Sequence, residues 1–163
     1  MAFAHNAMLR GINSIYLQAP QIHESQDIHD LLFLAKAWAT WVTHHHHLEE
    51  NQMFPGFERV VGKPGYLEGN VKQHHAFEPG LRRLAAYATE TSPQAYDSEQ
   101  LQAIIDGFAQ ALKQHLADEI ETLLSLRSYD GPALLRVYRE CEAAAGEQPK
   151  VSKGDCVVYS YTR

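Results

Sequence analysis

Cysteine is scarce in this sequence. Cys141 and Cys156 are the two in 163 residues, both late and far apart, which excludes a disulfide framework and fits a reducing, cytoplasmic setting. Long apolar runs are absent as well. No stretch approaches the roughly 18 apolar residues of a membrane span, so neither crossing nor membrane partnership is expected. The opening stretch "MAFAHNAMLRGINSIY" lacks the positive-then-apolar order of a secretory signal. Positive charge is short: the formal net charge is −6, and nucleic acid as a main partner calls for a basic stripe instead. There is no glycine-rich phosphate loop and no nucleophile elbow. Period-two alternation is nearly absent, apart from "CVVYSY" at 156–161, which reads as a short strand or an extended lid.

Histidine, in contrast, is abundant. There are ten, all between His5 and His115, and four are consecutive in "VTHHHHLEENQMFP" at 42–55. That run lies well inside the chain between helix-forming segments, which argues against a purification tag. With 45% apolar residues the chain can bury a core of ordinary size.

Apolar periodicity divides the chain into helices. The first runs over about 2–18 and is ended by Ala19-Pro20. A second starts at Asp27 as cap and stops near "FPGF" or "VVGKPG". A third covers about 65–91, a fourth opens at Ser98 and reaches about 126, and a short fifth spans about 132–145. Short connections between helices with one apolar stripe each predict an all-α fold. It is an antiparallel, up-and-down four-helix bundle over 1–127, with an extra C-terminal helix and an irregular tail over 128–163 packed on it.

The polar residues falling on those stripes carry the chemistry. Steps of three and four along the third helix give Leu67, Val71, His74, Glu78, Leu81, Ala85 and Ala88. The fourth gives Leu101, Ile105, Phe108, Leu112, His115, Glu119 and Leu126. The second gives Leu34, Trp38, Trp41, His45, Glu49 and Gln52, and the first His5, Leu9, Ile12 and Tyr16. Three helices thus present a His-x-x-x-Glu pair to the core, and the first adds one histidine. Residues four apart lie one above the other on a helix, about 5–6 Å apart at Cβ. One such pair is commonly a surface feature; three, each central on an apolar stripe, are not. Buried carboxylates and imidazoles cost several kcal/mol unless paired or metal-bound. In the second helix the offset pair His46 and Glu50, which shares a column with Val42 and Met53, competes with His45 and Glu49. His44 and His47 read as solvent-facing or supporting, His75 as a fallback ligand on a polar column, and His23 and His29 as solvated. Trp38, Trp41, Phe33, Phe108 and Tyr16 read as plain core more readily than as a pocket lining.

Imidazole and carboxylate donors without buried cysteine argue against structural zinc and iron–sulfur clusters. Seven ligands, His5, His45, Glu49, His74, Glu78, His115 and Glu119, exceed the needs of one ion. They suit two ions bridged by carboxylates, with iron the usual occupant in bundle cores and manganese or a mixed pair as alternatives.

The segments "HNAMLRGIN", "HHHHLEENQMFPGFE", "QHHAFEPGL" and "HLADEIETLLSL", in this order, resemble the hemerythrin-like cation-binding family over about residues 3–127. In that family His-x-x-x-Glu-Glu stands at a fixed distance before Phe-Pro, which here selects His45 and Glu49. The resemblance implies a non-haem di-iron centre, Fe2+/Fe3+, with an oxo or hydroxo bridge. His5, His45, His74 and His115 would be terminal ligands, and Glu49 and Glu119 bridging ones. Position 78 departs from the oxygen carriers, which have histidine there. A third carboxylate would favour the ferric state and oxygen consumption over reversible carriage.

The expected partners are dioxygen or another small oxidant, nitric oxide and peroxide included, and a small-molecule substrate if the centre is enzymatic. Two functions compete: a carrier or sensor, and a di-iron oxidase or oxygenase. Metal storage ranks below both, because one closed bundle holds few ions.

Overall fold

The structure, a computed structural model, describes residues 1–146. It is all-helical, with no strand among the described residues. The tail, including Cys156 and the "CVVYSY" segment, lies outside the described residues.

Helix α1 (Ala2–Gln18) ends in a 3-10 turn at Ala19–Gln21 that contains Pro20. Helix α2 (Ser25–Leu48) follows, with Glu24 as its N-cap, so Asp27 lies in the first turn rather than at the cap. There a negative side chain still favours the positive end of the helix dipole. The expected stop at "FPGF" is a change of winding. Glu49–Met53 form a π-helical turn and α3 (Phe54–Val61) continues from it. Pro55 explains the turn. In an α-helix its nitrogen would face the Asn51 carbonyl, where it has no N–H to donate and its ring would clash. One extra residue in the turn relieves both problems. The Phe54 N–H accordingly reaches back five residues to the Glu49 carbonyl. Gly62, at φ 70°, closes α3 in the left-handed conformation that glycine adopts freely.

Helix α4 (Glu68–Glu90) and helix α5 (Ser98–Ser125) complete the long set. Asp97 caps α5, its side chain accepting from the backbone N–H groups of Glu99 and Gln100. Helix α6 (Gly131–Gly146) is short and packs on α3, the π-turn and α2. Helix α4 packs on α2 and α5, and α1 packs on the same two.

The core has two apolar clusters. The larger holds Met8, Ile12, Trp38, Val42, Phe77, Leu81, Phe108, Leu112 and their neighbours. Trp38 packs on Phe108 at 6.4 Å between ring centroids and donates its indole N–H to the Met8 carbonyl at 3.0 Å. The smaller holds Leu48, Met53, Phe54, Phe57, Leu67, Leu126 and Cys141. Between them on every long helix lie the buried polar residues His5, His46, Glu49, Asn70, His74, His115 and Glu119.

Helices α4 and α5 pack tightly at Gly80, where an added Cβ would run into Phe108 Cβ. That atom is fixed to the backbone and cannot swing aside. Gly80→Ala is therefore expected to lower stability by about 1–3 kcal/mol. Denaturant unfolding should show a lower midpoint at unchanged slope, and a midpoint equal to the parent's would refute the close approach.

Candidate metal centre

Each long helix contributes to one buried polar layer. His5 comes from α1, His45 and His46 from the end of α2, Glu49 from the π-turn, His74 from α4, and His115 with Glu119 from α5. Six of the seven residues expected from the stripes come together here. Glu78 does not. Its side chain is 43% exposed and pairs with Arg82 on the outer face of α4. The stripe admits either 77 or 78 after His74, and the fold buries Phe77 to 1% exposure. Burying an aromatic ring is favourable, whereas an inward carboxylate would add a third negative charge to a closed site. The near contact of Gly80 with Phe108 fixes the same rotation of α4. Phe77 thus packs on the imidazoles of His46 and His115, at 4.9 and 5.4 Å between ring centroids.

The fold also brings in a residue that the chosen stripe passed over. His46 is buried, its ring 4.4 Å from that of His74 and 5.2 Å from that of His115. Its signal was the column through Val42 and Met53, both buried. The rival column through Leu34 is mixed, with Trp38 and Glu49 buried but Leu34 41% exposed. His45 flanks the core and still reaches Glu49, Nε2 to Oε1 at 2.8 Å. Both members of the His45/His46 choice therefore face the centre.

The outer nitrogens fix the tautomers. His5 Nδ1–H donates to the Leu116 carbonyl at 2.9 Å. His74 Nδ1 lies 2.7 Å from Glu50 Oε1, and a carboxylate only accepts. His115 Nδ1 lies 3.3 Å from Gln73 Oε1. The Gln73 amide cannot be turned round, because its nitrogen donates to Asp118 Oδ2 at 2.7 Å. With their protons placed outward, the three imidazoles present Nε2 lone pairs inward. His74 Nε2 and His115 Nε2 face each other at 3.0 Å.

Carboxylate oxygens fill the remaining space. Glu49 points Oε1 at His45 and Oε2 at His74 Nε2, 3.6 Å away. Glu119 Oε2 lies 3.0 Å from His5 Nε2 and 3.7 Å from His115 Nε2. Even so, both oxygens of Glu49 and of Glu119, both nitrogens of His46, and Nε2 of His5 and His45 are buried without a hydrogen bond of acceptable geometry. Orphaned acceptors at this density are what a cation would satisfy. The donors fall into two groups whose ligand atoms lie within 4.8 Å of one another: His46, Glu49, His74 and His115, and His5, His45 and Glu49. Glu49 belongs to both. The residues present therefore fit a pair of metal ions.

Electrostatics agree with readiness for metal. Burial lowers His45 and His74 to about 4 and His115 to about 3. Burial, reinforced by the surrounding imidazoles, holds His46 well below its ordinary value. Burial and the neighbouring Glu119 push Glu49 well up. Burial opposes ionisation of Glu119 too, but His5 and the other imidazoles outweigh it and hold that carboxyl low. Neutral imidazoles leave their lone pairs available without displacing protons.

The hemerythrin HHE cation-binding domain model matches residues 1–126. The chain belongs to that family. It is also similar to dimeric xanthone biosynthesis cluster protein R11 of Cryptosporiopsis sp. (strain 8999), at 39% identity over 142 residues, 87% of this chain and 54% of that protein. The chain thus spans about half the length of the curated relative it matches. No solved structure matches.

The pKa shifts set the acid behaviour of the metal-free chain. The centre's four imidazoles with lowered values, His45, His46, His74 and His115, take up protons only on unfolding as pH falls below about 6.5, while the raised Glu49 works the other way and offsets part of this. The imidazole contribution to stability is therefore present above about 6.5 and lost as pH falls toward 4. Unfolding midpoints followed from pH 7.5 to 4 should fall steeply across that window and hold to lower pH once metal is added. A flat profile would contradict neutral buried imidazoles.

Proposed function

We propose that this chain is a non-haem di-iron protein whose buried centre binds dioxygen or a related small oxidant, nitric oxide or peroxide. The observation that carries the reading is Glu49, shared by two donor groups, as a carboxylate bridging two ions would be. His46, His74, His115 and Glu49 would hold one iron. His5, His45 and Glu49 would hold the other, with Glu119 spanning from His5 to His115 as a second bridge. Bound iron supplies one-electron redox chemistry and exchangeable coordination for a small oxidant. The chain's own part is to supply neutral donors on fixed rings and to exclude bulk water with Phe77, Phe54 and the two apolar clusters. We further read the bundle as antiparallel and up-and-down. From Met1 through α1, and along α4, the smaller apolar cluster, the polar layer and the larger cluster follow in chain order, and on α2 and α5 the order is reversed. No helix among the described residues is long and apolar enough to cross a membrane, and a cytoplasmic location remains part of this proposal.

The expected third carboxylate favoured oxygen consumption. With Glu78 paired to Arg82 and His46 inside, the cluster has five imidazoles and two carboxylates, and that charge argument loses its premise. A second reading, a di-iron oxidase or oxygenase acting on a small organic molecule, is favoured by the relative's name as a xanthone biosynthesis cluster protein. Xanthones are oxygenated aromatic compounds, a substrate class that oxidative chemistry suits.

Metal analysis of the iron-loaded chain should give two irons. Glu49→Ala or Glu119→Ala should reduce that to one or fewer, while Glu78→Ala should keep both. A parent binding fewer than two, or a loss caused by Glu78→Ala, would sink the assignment. An optical spectrum of the reduced protein then separates the two functions. An oxygen band that disappears under vacuum indicates a carrier or sensor. Oxygen taken up in proportion to an added aromatic co-substrate indicates an enzyme.

A further inference from the structure

Three buried imidazoles are held from outside the cluster, and their holders differ in charge. His5 has a backbone carbonyl, His115 the neutral amide of Gln73, and His74 the carboxylate of Glu50. Asp118 reaches His115 only through that amide, and it also accepts from Gln114 at 2.6 Å. Glu50 sits on the π-turn one residue after Glu49, its side chain 28% exposed. Its 2.7 Å contact with His74 Nδ1 is in the range of charge-assisted hydrogen bonds. Among the described residues no Lys or Arg pairs with it, so its charge is directed at one imidazole.

We propose that Glu50 is a positioning residue that makes the two metal ions unequal. It fixes the ring and tautomer of His74 and, through its negative charge, strengthens Nε2 as a donor. The ion held by His46, His74, His115 and Glu49 is therefore the more tightly bound and the more easily oxidised of the two. The π-turn makes this possible, since adjacent Glu49 and Glu50 reach opposite nitrogens of the same imidazole: Glu49 Oε2 lies 3.6 Å from Nε2 and Glu50 Oε1 2.7 Å from Nδ1.

The inference rests on the two-iron reading, and the test separates them. Glu50→Gln keeps an acceptor for His74 and removes only the charge. Anaerobic Fe2+ titration of the full chain should show one of two ions bound about 10–100-fold more weakly. One of the two redox steps should move to higher potential, and the metal-free variant should melt like the parent. Wild-type affinity and potential in Glu50→Gln, or a loss shared equally by both ions, would overturn the inference while leaving the two-iron reading intact. A parent that takes up fewer than two irons overturns both. A measurement without a variant checks the same point. In the Zn2+-loaded parent, proton NMR should place the His74 Nδ1–H resonance further downfield than those of His5 and His115. An ordinary shift for His74 counts against a charged holder.

Discussion

Two imidazole nitrogens facing each other at 3.0 Å, His74 Nε2 and His115 Nε2, impose the constraint on which the rest of the structure depends. Both protons are drawn outward, to Glu50 and Gln73, so the short contact is lone pair against lone pair unless a cation lies between. The same condition recurs around it. Glu49 Oε2 approaches His74 Nε2 and Glu119 Oε2 approaches His115 Nε2, nitrogens whose protons are drawn outward, and His46 has no hydrogen-bond partner at all. Placing this layer between two apolar clusters removes water as an alternative partner and makes every orphaned atom costly. The bundle is thus arranged about a deficit of positive charge.

Holding such a layer requires control of helix rotation, and two local devices supply it. On α2 the π-turn set by Pro55 lets the chain continue as α3 while Glu49, Met53 and Phe57 all stay buried. A helix simply ended at Glu49 would leave its last carbonyls and the first N–H groups of the next element to be satisfied in the interior. On α4, Gly80 lets Phe108 approach, which turns Phe77 inward and Glu78 outward to Arg82. Both devices act on rotation by about one residue, the scale on which ligand identity is decided here.

That scale also explains what was legible in the sequence. Helix α1 is marked at its C-terminal end by Ala19-Pro20 and spans 2–18 as its periodicity predicts. His5, His74, His115 and Glu119 lie on stripes whose apolar neighbours leave little choice of face. At 45/46 and 77/78, adjacent residues compete for the same inward position, because a step of three or four from the preceding core residue is equally allowed. Periodicity alone cannot separate them. The resolution came from tertiary packing: Gly80 against Phe108, and a π-turn that brings His45 and His46 to one centre. The "FPGF" signal was visible, but Pro inside a helix can end it or rewind it, and burial on both sides of Pro55 decides for rewinding.

The exchange of Glu78 for His46 changes the chemistry more than the count of ligands. An extra inward carboxylate would lower the net charge of a diferrous pair and stabilise its ferric form, whereas an imidazole adds a donor without charge. Tuning by full charges is thereby moved outward. It falls to groups such as Glu50 at the edge of the site, where one negative charge acts through an imidazole and costs far less to desolvate than a buried carboxylate. A core of neutral donors with charged supports at its rim can be adjusted one side chain at a time without disturbing the packing that holds the rings.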